Sequence, residues 1–121
     1  MTKRVLVVED TEDNRRILRD LLEVAGYGIV EANDGLQGVA RAIETTPDLI
    51  LMDMQMPGID GYEATRRIKA NETTSRIPII AVTSFALSGD QEKAMSAGCD
   101  DYVAKPYSPR ALLAKIRSYL D

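Results

Sequence analysis

Four short runs of unbroken apolar residues fix most of what this chain can become. They are Val5-Leu6-Val7-Val8, Leu49-Ile50-Leu51-Met52, Ile79-Ile80-Ala81-Val82 and the shorter Tyr102-Val103-Ala104. A strand with one face in water alternates apolar and polar residues. A continuous β-rich run reads instead as a strand covered on both faces, the signature of a parallel sheet. Pro78 suits the first position of the third run. Ile29-Val30-Glu31-Ala32 is weaker and more polar, as an edge strand should be.

Amphipathic segments fill the gaps. Ile17, Leu18, Leu21, Leu22 and Ala25 form an apolar stripe that Gly26 should stop. Leu36, Val39, Ala40 and Ile43 predict the buried face of a second helix, with Asp34 as its N-cap. Residues 60–70 predict a third helix. Ser88 and Gln91 have capping-box spacing for a fourth, ending at Gly98. Ser108-Pro109 is a cap followed by a first-turn proline, and Leu112, Leu113, Ile116 and Leu120 supply the face of the fifth helix. Strands alternating with helices predict an α/β fold of the flavodoxin-like, doubly wound (βα)5 kind. Its five-stranded parallel sheet should have the order 2-1-3-4-5. The 121 residues suit a single domain spanning 1–121.

Composition narrows the chemistry. There is no histidine and a single cysteine, Cys99, so imidazole catalysis, a disulfide framework and a thiolate-rich zinc site are all excluded. Fifteen Lys and Arg stand against 19 Asp and Glu, a net charge of −4. That balance and the lack of a basic stripe argue against a nucleic-acid partner. No apolar run approaches the roughly 18 residues that span a membrane, and the start of the chain lacks a signal-peptide core. The expectation is a cytoplasmic protein with no membrane insertion.

In doubly wound folds, ligands sit beyond the carboxyl ends of the strands where the strand order reverses. Glu9 and Asp10 follow the first strand, Asp53 the third, Thr83 and Ser84 the fourth, and Lys105 the fifth. Each alone is an ordinary loop residue. Together they place three acids, a hydroxyl and a lysine at successive strand ends. Carboxylates in one cleft repel unless a cation joins them. With oxygen ligands alone, Mg²⁺ (or Mn²⁺) is the expected ion. Lys105 and Thr83 would complete a pocket for a phosphoryl group.

These residues carry a resemblance. Val5-Leu6-Val7-Val8-Glu9-Asp10, the block from Leu51 to Gly61 (LMDMQMPGIDG), Ile79-Ile80-Ala81-Val82-Thr83 and Tyr102-Val103-Ala104-Lys105-Pro106 are similar to the signature blocks of response-regulator receiver domains. The match runs in order over essentially the whole chain, and resembles most the stand-alone, DivK-like cell-division regulators and the receivers attached to hybrid kinases. The resemblance implies that Asp53 is the phosphoacceptor, taking its phosphoryl group from a histidine kinase or a histidine phosphotransfer protein. It implies direct Mg²⁺ binding by Asp10 and Asp53, with Glu9 acting through water and the Gln55 backbone carbonyl as a further ligand. Lys105 would pair with the phosphoryl group, Thr83 would move toward it, and Tyr102 would be the switch aromatic. A cis Lys105–Pro106 bond is expected. The output would be a repacked surface of the fourth helix, fifth strand and fifth helix, read by a downstream protein of unknown identity or used in a phosphorelay. No output domain is expected.

Two other classes share parts of this pattern. A phosphohydrolase similar to the haloacid dehalogenases also uses a strand-end Asp, but needs a second acid two residues on, where this chain has Gln55. A flavin-binding electron carrier needs a hydroxyl- and glycine-rich phosphate loop where this chain has Glu9-Asp10-Thr11-Glu12-Asp13. The expectation is therefore not an enzyme acting on other substrates, but a protein that catalyses only its own phosphorylation and dephosphorylation. Phe85, two residues past Thr83, is expected to shield the acyl phosphate, with Gln55 also bordering the path of attacking water. Asn14, Arg15 and Arg19 form a candidate kinase-docking face. Met52, Met54 and Met56 are expected in the core, Cys99 as a small buried hydrophobe, and Tyr119 packing the last helix.

Overall fold

A computed structural model describes residues 2–84 and 89–121. Five strands alternate with five helices: β1 (Arg4–Val8), α1 (Glu12–Val24), β2 (Gly28–Ala32), α2 (Gly35–Thr45), β3 (Leu49–Asp53), α3 (Gly61–Ala70), β4 (Ile79–Thr83), α4 (Asp90–Ala97), β5 (Asp101–Ala104) and α5 (Pro109–Leu120). The sheet is parallel throughout, in the order β2-β1-β3-β4-β5, as the apolar runs predict. Register aligns Val8 with Met52 and Asp53 with Val82, so the carboxyl ends of β1, β3 and β4 share one edge.

Each central strand feeds two cores, because alternate side chains point to opposite faces. Leu6, Val8, Ile50, Met52, Ile79 and Ala81 pack with Ala42, Ala64, Ile68, Ala94, Ala97 and Cys99. Val5, Val7, Leu49, Leu51 and Ile80 pack on the other face with Leu18, Leu22, Leu112 and Ile116. Met52, Met54 and Met56 lie in the first core. Cys99 is buried against Thr65, Sγ to Oγ1 3.7 Å, and burial pushes its thiol up to about 11. Tyr119 uses its hydroxyl to donate to the Asp100 carbonyl and to Asp101, at 3.2 Å each.

Helix ends follow local chemistry. Asp34, Asp60 and Ser108 accept from the backbone N–H groups of Gln37, Glu63 and Ala111, the N-cap bonds that satisfy orphan donors. Gly26 and Gly98 take left-handed φ values of 92° and 115° where their helices stop. The fourth helix departs from expectation. Gly89, at φ 85°, holds its N-cap without a side-chain bond, and Ser88 lies outside the described residues.

The second helix is a correction. Its buried residues are Gly35, Gly38 and Ala42, with Val39 half-buried, whereas Leu36, Ala40 and Ile43 are exposed. The reason is close approach. A Cβ on Gly38 would meet Val8 Cγ1 at 2.9 Å, and one on Gly35 would meet the Ile59 carbonyl at 2.6 Å. Small residues are needed against the sheet and the β3–α3 segment, so the larger apolar side chains turn outward. Ile17 is likewise exposed, while Leu18 and Leu22 carry the buried face of α1.

Candidate functional site

Asp53 ends β3, and its carboxylate stays at the edge of the sheet because the chain turns at once. Gly61, opening α3, lies under that turn. A Cβ there would come within 2.3 Å of the Asp53 carbonyl oxygen and 2.7 Å of Met54 Cα. Glu9 follows β1 and is fixed by its N–H donating to the Ala32 carbonyl at 3.1 Å. Carboxylate oxygens of Glu9, Asp10 and Asp53 lie within 4.8 Å of one another. Lys105 follows β5, and its N–H donates to the Thr83 carbonyl at 2.7 Å. Its Nζ stands 3.3 Å from Glu9 Oε1 and 3.8 Å from Asp53 Oδ2. The Lys105–Pro106 bond is cis. Four strand-end side chains, those of Glu9, Asp10, Asp53 and Lys105, thus meet in three dimensions as the topology requires.

The electrostatics show a pocket short of positive charge. Burial raises Asp53 first and its contact with Glu9 second; Gln55 N–H and Lys105 oppose them, and the carboxyl settles at about 8. Burial works to raise Glu9 too, but hydrogen bonding with Asp53 and Asn14 and the charge of Lys105 outweigh it, leaving Glu9 below its ordinary value. Asp10 is pushed up, by burial and then by Glu9. One proton therefore stays with Asp53, facing an ionised Glu9. Glu9 Oε2 is buried and accepts no hydrogen bond from the described residues. A buried, unpartnered anionic oxygen among three carboxylates fits a hard divalent cation, and Mg²⁺ takes such all-oxygen sites with its own waters completing the shell.

Gln55 is the residue whose side chain the sequence reading underused. Its N–H donates to Asp53 Oδ1 at 3.0 Å. Its amide crosses to β4, Nε2 donating to Thr83 Oγ1 at 2.8 Å and Oε1 accepting from the Ser84 N–H at 2.9 Å. The sequence places Gln55 two residues past Asp53, but the reach of its amide to β4 depends on the folded loops. Thr83 is fully buried, and Tyr102 is half-buried against the core that also holds Tyr62. Glu9, Asp53, Ser84 and Lys105 line a cavity of about 540 Å³ whose outer wall is apolar, with Ile17, Tyr107 and Pro109.

The full exposure expected of the candidate docking face at Asn14, Arg15 and Arg19 is corrected, while the face itself remains a candidate. All three are half-buried. Arg15 pairs with Glu12 and Glu31 and donates to the Glu9 carbonyl at 2.9 Å, and Arg19 pairs with Glu31 at 3.1 Å. These arginines buttress the β1–α1 loop. Phe85 lies outside the described residues.

Comparison with known proteins agrees with this geometry. Residues 5–117 match the family described as the response regulator receiver domain. The chain is 45% identical over 120 residues to the polar-differentiation response regulator DivK of Brucella ovis, covering 99% of this chain and 98% of that one. Among solved structures, it superposes with TM-score 0.92 and 39% identity on the receiver domain of sensor histidine kinase PA1611 from Pseudomonas aeruginosa PAO1, covering 99% and 98% of the two chains. That structure holds a magnesium ion in its active-site cleft. Chemotaxis protein CheY4 of Vibrio cholerae superposes with TM-score 0.92 at 25% identity, covering 98% and 99%. No helix among the described residues is long and apolar enough to cross a membrane.

Proposed function

The chain belongs to the response regulator receiver family, and from that premise we propose that it is a phosphoacceptor in two-component signalling, with Asp53 as the acceptor. The observation that carries this reading is the convergence of Lys105, from the end of β5, and of Glu9 and Asp10, from the end of β1, on the Asp53 carboxylate at the end of β3. Neither a cap nor a turn explains an acid so placed, whereas metal-assisted attack on an electrophile whose negative charge needs neutralising does.

The donor is a phosphohistidine on a histidine kinase or phosphotransfer protein. An ionised Asp53 oxygen attacks phosphorus, the P–N bond breaks, and the imidazole leaves with its electron pair. Lys105 Nζ offsets charge on the transferring oxygens, and the Thr83 hydroxyl donates to one of them. Asp10, Asp53, Glu9 and the Gln55 carbonyl would hold Mg²⁺, which would supply charge neutralisation when bound. The acyl phosphate persists because Gln55 cannot shuttle a proton, so the protein acts as no enzyme beyond its own phosphorylation and dephosphorylation. Movement of Thr83 lets Tyr102 turn inward and repacks the α4–β5–α5 face for a downstream protein or a phosphorelay. The exchange takes place in the cytoplasm, a setting supported by the similarity to DivK.

The test is intact mass after incubation with acetyl phosphate and Mg²⁺. One added phosphoryl group is expected, absent in Asp53→Asn and absent with EDTA. No adduct from acetyl phosphate, phosphoramidate or a phosphorylated histidine kinase would overturn the reading. Pull-downs with and without beryllofluoride then find the output partner.

A further inference from the structure

The Gln55 side chain ties the acceptor loop to the very groups that a phosphoryl group on Asp53 would use. A phosphoryl oxygen only accepts hydrogen bonds, so it needs donors, and β4 offers two at this edge: the Thr83 hydroxyl and the Ser84 N–H. Gln55 Oε1 takes the Ser84 N–H at 2.9 Å, and Gln55 Nε2 donates to Thr83 Oγ1 at 2.8 Å. The orientation of the amide follows from its partners, since a backbone N–H must face the oxygen. Ser84 shares a cavity wall with Asp53 and Lys105. The Ser84 N–H has one proton to give, and Thr83 cannot approach Asp53 without straining its bond to Gln55. The Gln55 backbone is fixed in turn by its own bond to Asp53 Oδ1, at 3.0 Å.

We infer that the Gln55 carboxamide is a positioning residue that occupies the phosphoryl seat in the resting protein, its oxygen standing in for a phosphoryl oxygen on the Ser84 N–H and its nitrogen tethering Thr83. Phosphorylation has to displace it. The amide therefore weights the switch toward rest, and its length sets how far. The inference rests on the phosphoacceptor reading given above and extends it to a residue whose side chain neither binds metal nor transfers a proton.

Beryllofluoride, a phosphoryl mimic, tests it without turnover. Gln55→Met keeps length and loses both bonds, while Gln55→Glu keeps an acceptor for Ser84 and adds repulsion. Losing two bonds of ordinary net strength should tighten beryllofluoride binding to Gln55→Met by roughly thirtyfold at saturating Mg²⁺. Phosphorylation by phosphoramidate should speed up by a similar factor. In the resting wild type, the Ser84 amide proton should resonate downfield of its position in resting Gln55→Met. Gln55→Glu should bind beryllofluoride more weakly than wild type. If Gln55 instead preorganises the seat, Gln55→Met binds beryllofluoride more weakly than wild type, and that sign overturns the inference. Equal binding by both proteins overturns it as well. A wild type that binds no beryllofluoride at all overturns the phosphoacceptor reading itself, a distinguishable failure.

Discussion

Binding of Mg²⁺ to this protein should release a proton, and the amount follows from Asp53. With its carboxyl at about 8, only about one molecule in ten is ionised there at pH 7. A metal ligand must be deprotonated. Saturating the protein with Mg²⁺ at pH 7 should therefore expel about 0.9 proton per molecule, falling to about 0.5 at pH 8 and near zero at pH 9. Apparent Mg²⁺ affinity should rise about tenfold from pH 6 to 7, about fivefold from 7 to 8, and at most twofold beyond. The signal has little competition. The chain has no histidine, and its one thiol sits at about 11. Isothermal titration in two buffers of different ionisation enthalpy measures both quantities, and Asp53→Asn should abolish most of the proton release. Release below about 0.2 proton at pH 7, or an affinity changing less than about twofold between pH 6 and 8, would refute the account of a protonated Asp53 facing an ionised Glu9.

Without metal, folded Asp53 holds its proton well above the value of 3.8 it has when exposed, so stability should fall as pH rises from about 4 to about 8. Asp53→Asn removes that slope and should be more stable than wild type at pH 8, measured by urea unfolding with EDTA. Gly61→Ala puts a methyl group against the Asp53 carbonyl and the Met54 backbone, neither able to yield, and should cost about 3 kcal/mol in the same assay. Lys69→Met should cost about 1–3 kcal/mol, because Lys69 Nζ donates to the carbonyls of Ser75 and Ile77 and to Asp100, at 3.3, 2.7 and 3.0 Å.

Strand identity and order were legible because both-face burial demands unbroken apolar runs. The acids and Lys105 were legible because strand ends place them without help from side-chain conformation. What escaped was whatever depends on distance between elements. Leu36 and Ile43 look like core on hydrophobicity, yet the tight seat of α2 against Val8 and Ile59 selects glycine and alanine instead. Arg15 reads as a surface charge, and only the fold brings Glu31 and the Glu9 carbonyl to it. The Gln55 amide reaches residues 28 and 29 positions away, a coincidence of two loops that no local pattern records.

The fourth helix carries a consequence for how such a molecule can diversify. Eight residues long, it buries only Ala94 and Ala97, and it is bounded by Gly89 and Gly98 in left-handed conformations. Its outer positions Gln91, Glu92, Met95 and Ser96 are exposed, so exchanging them leaves the core atoms in place, whereas Lys93 sits over the buried Tyr62 ring. The acids, Lys105 and Gln55 lie beyond the helix and depend on the sheet instead. On the proposed reading, recognition and phosphochemistry are thus written in separate parts of the chain. A lineage using that output face would acquire a new listener by editing one short, lightly rooted helix, while the reaction that powers the message stays as it was.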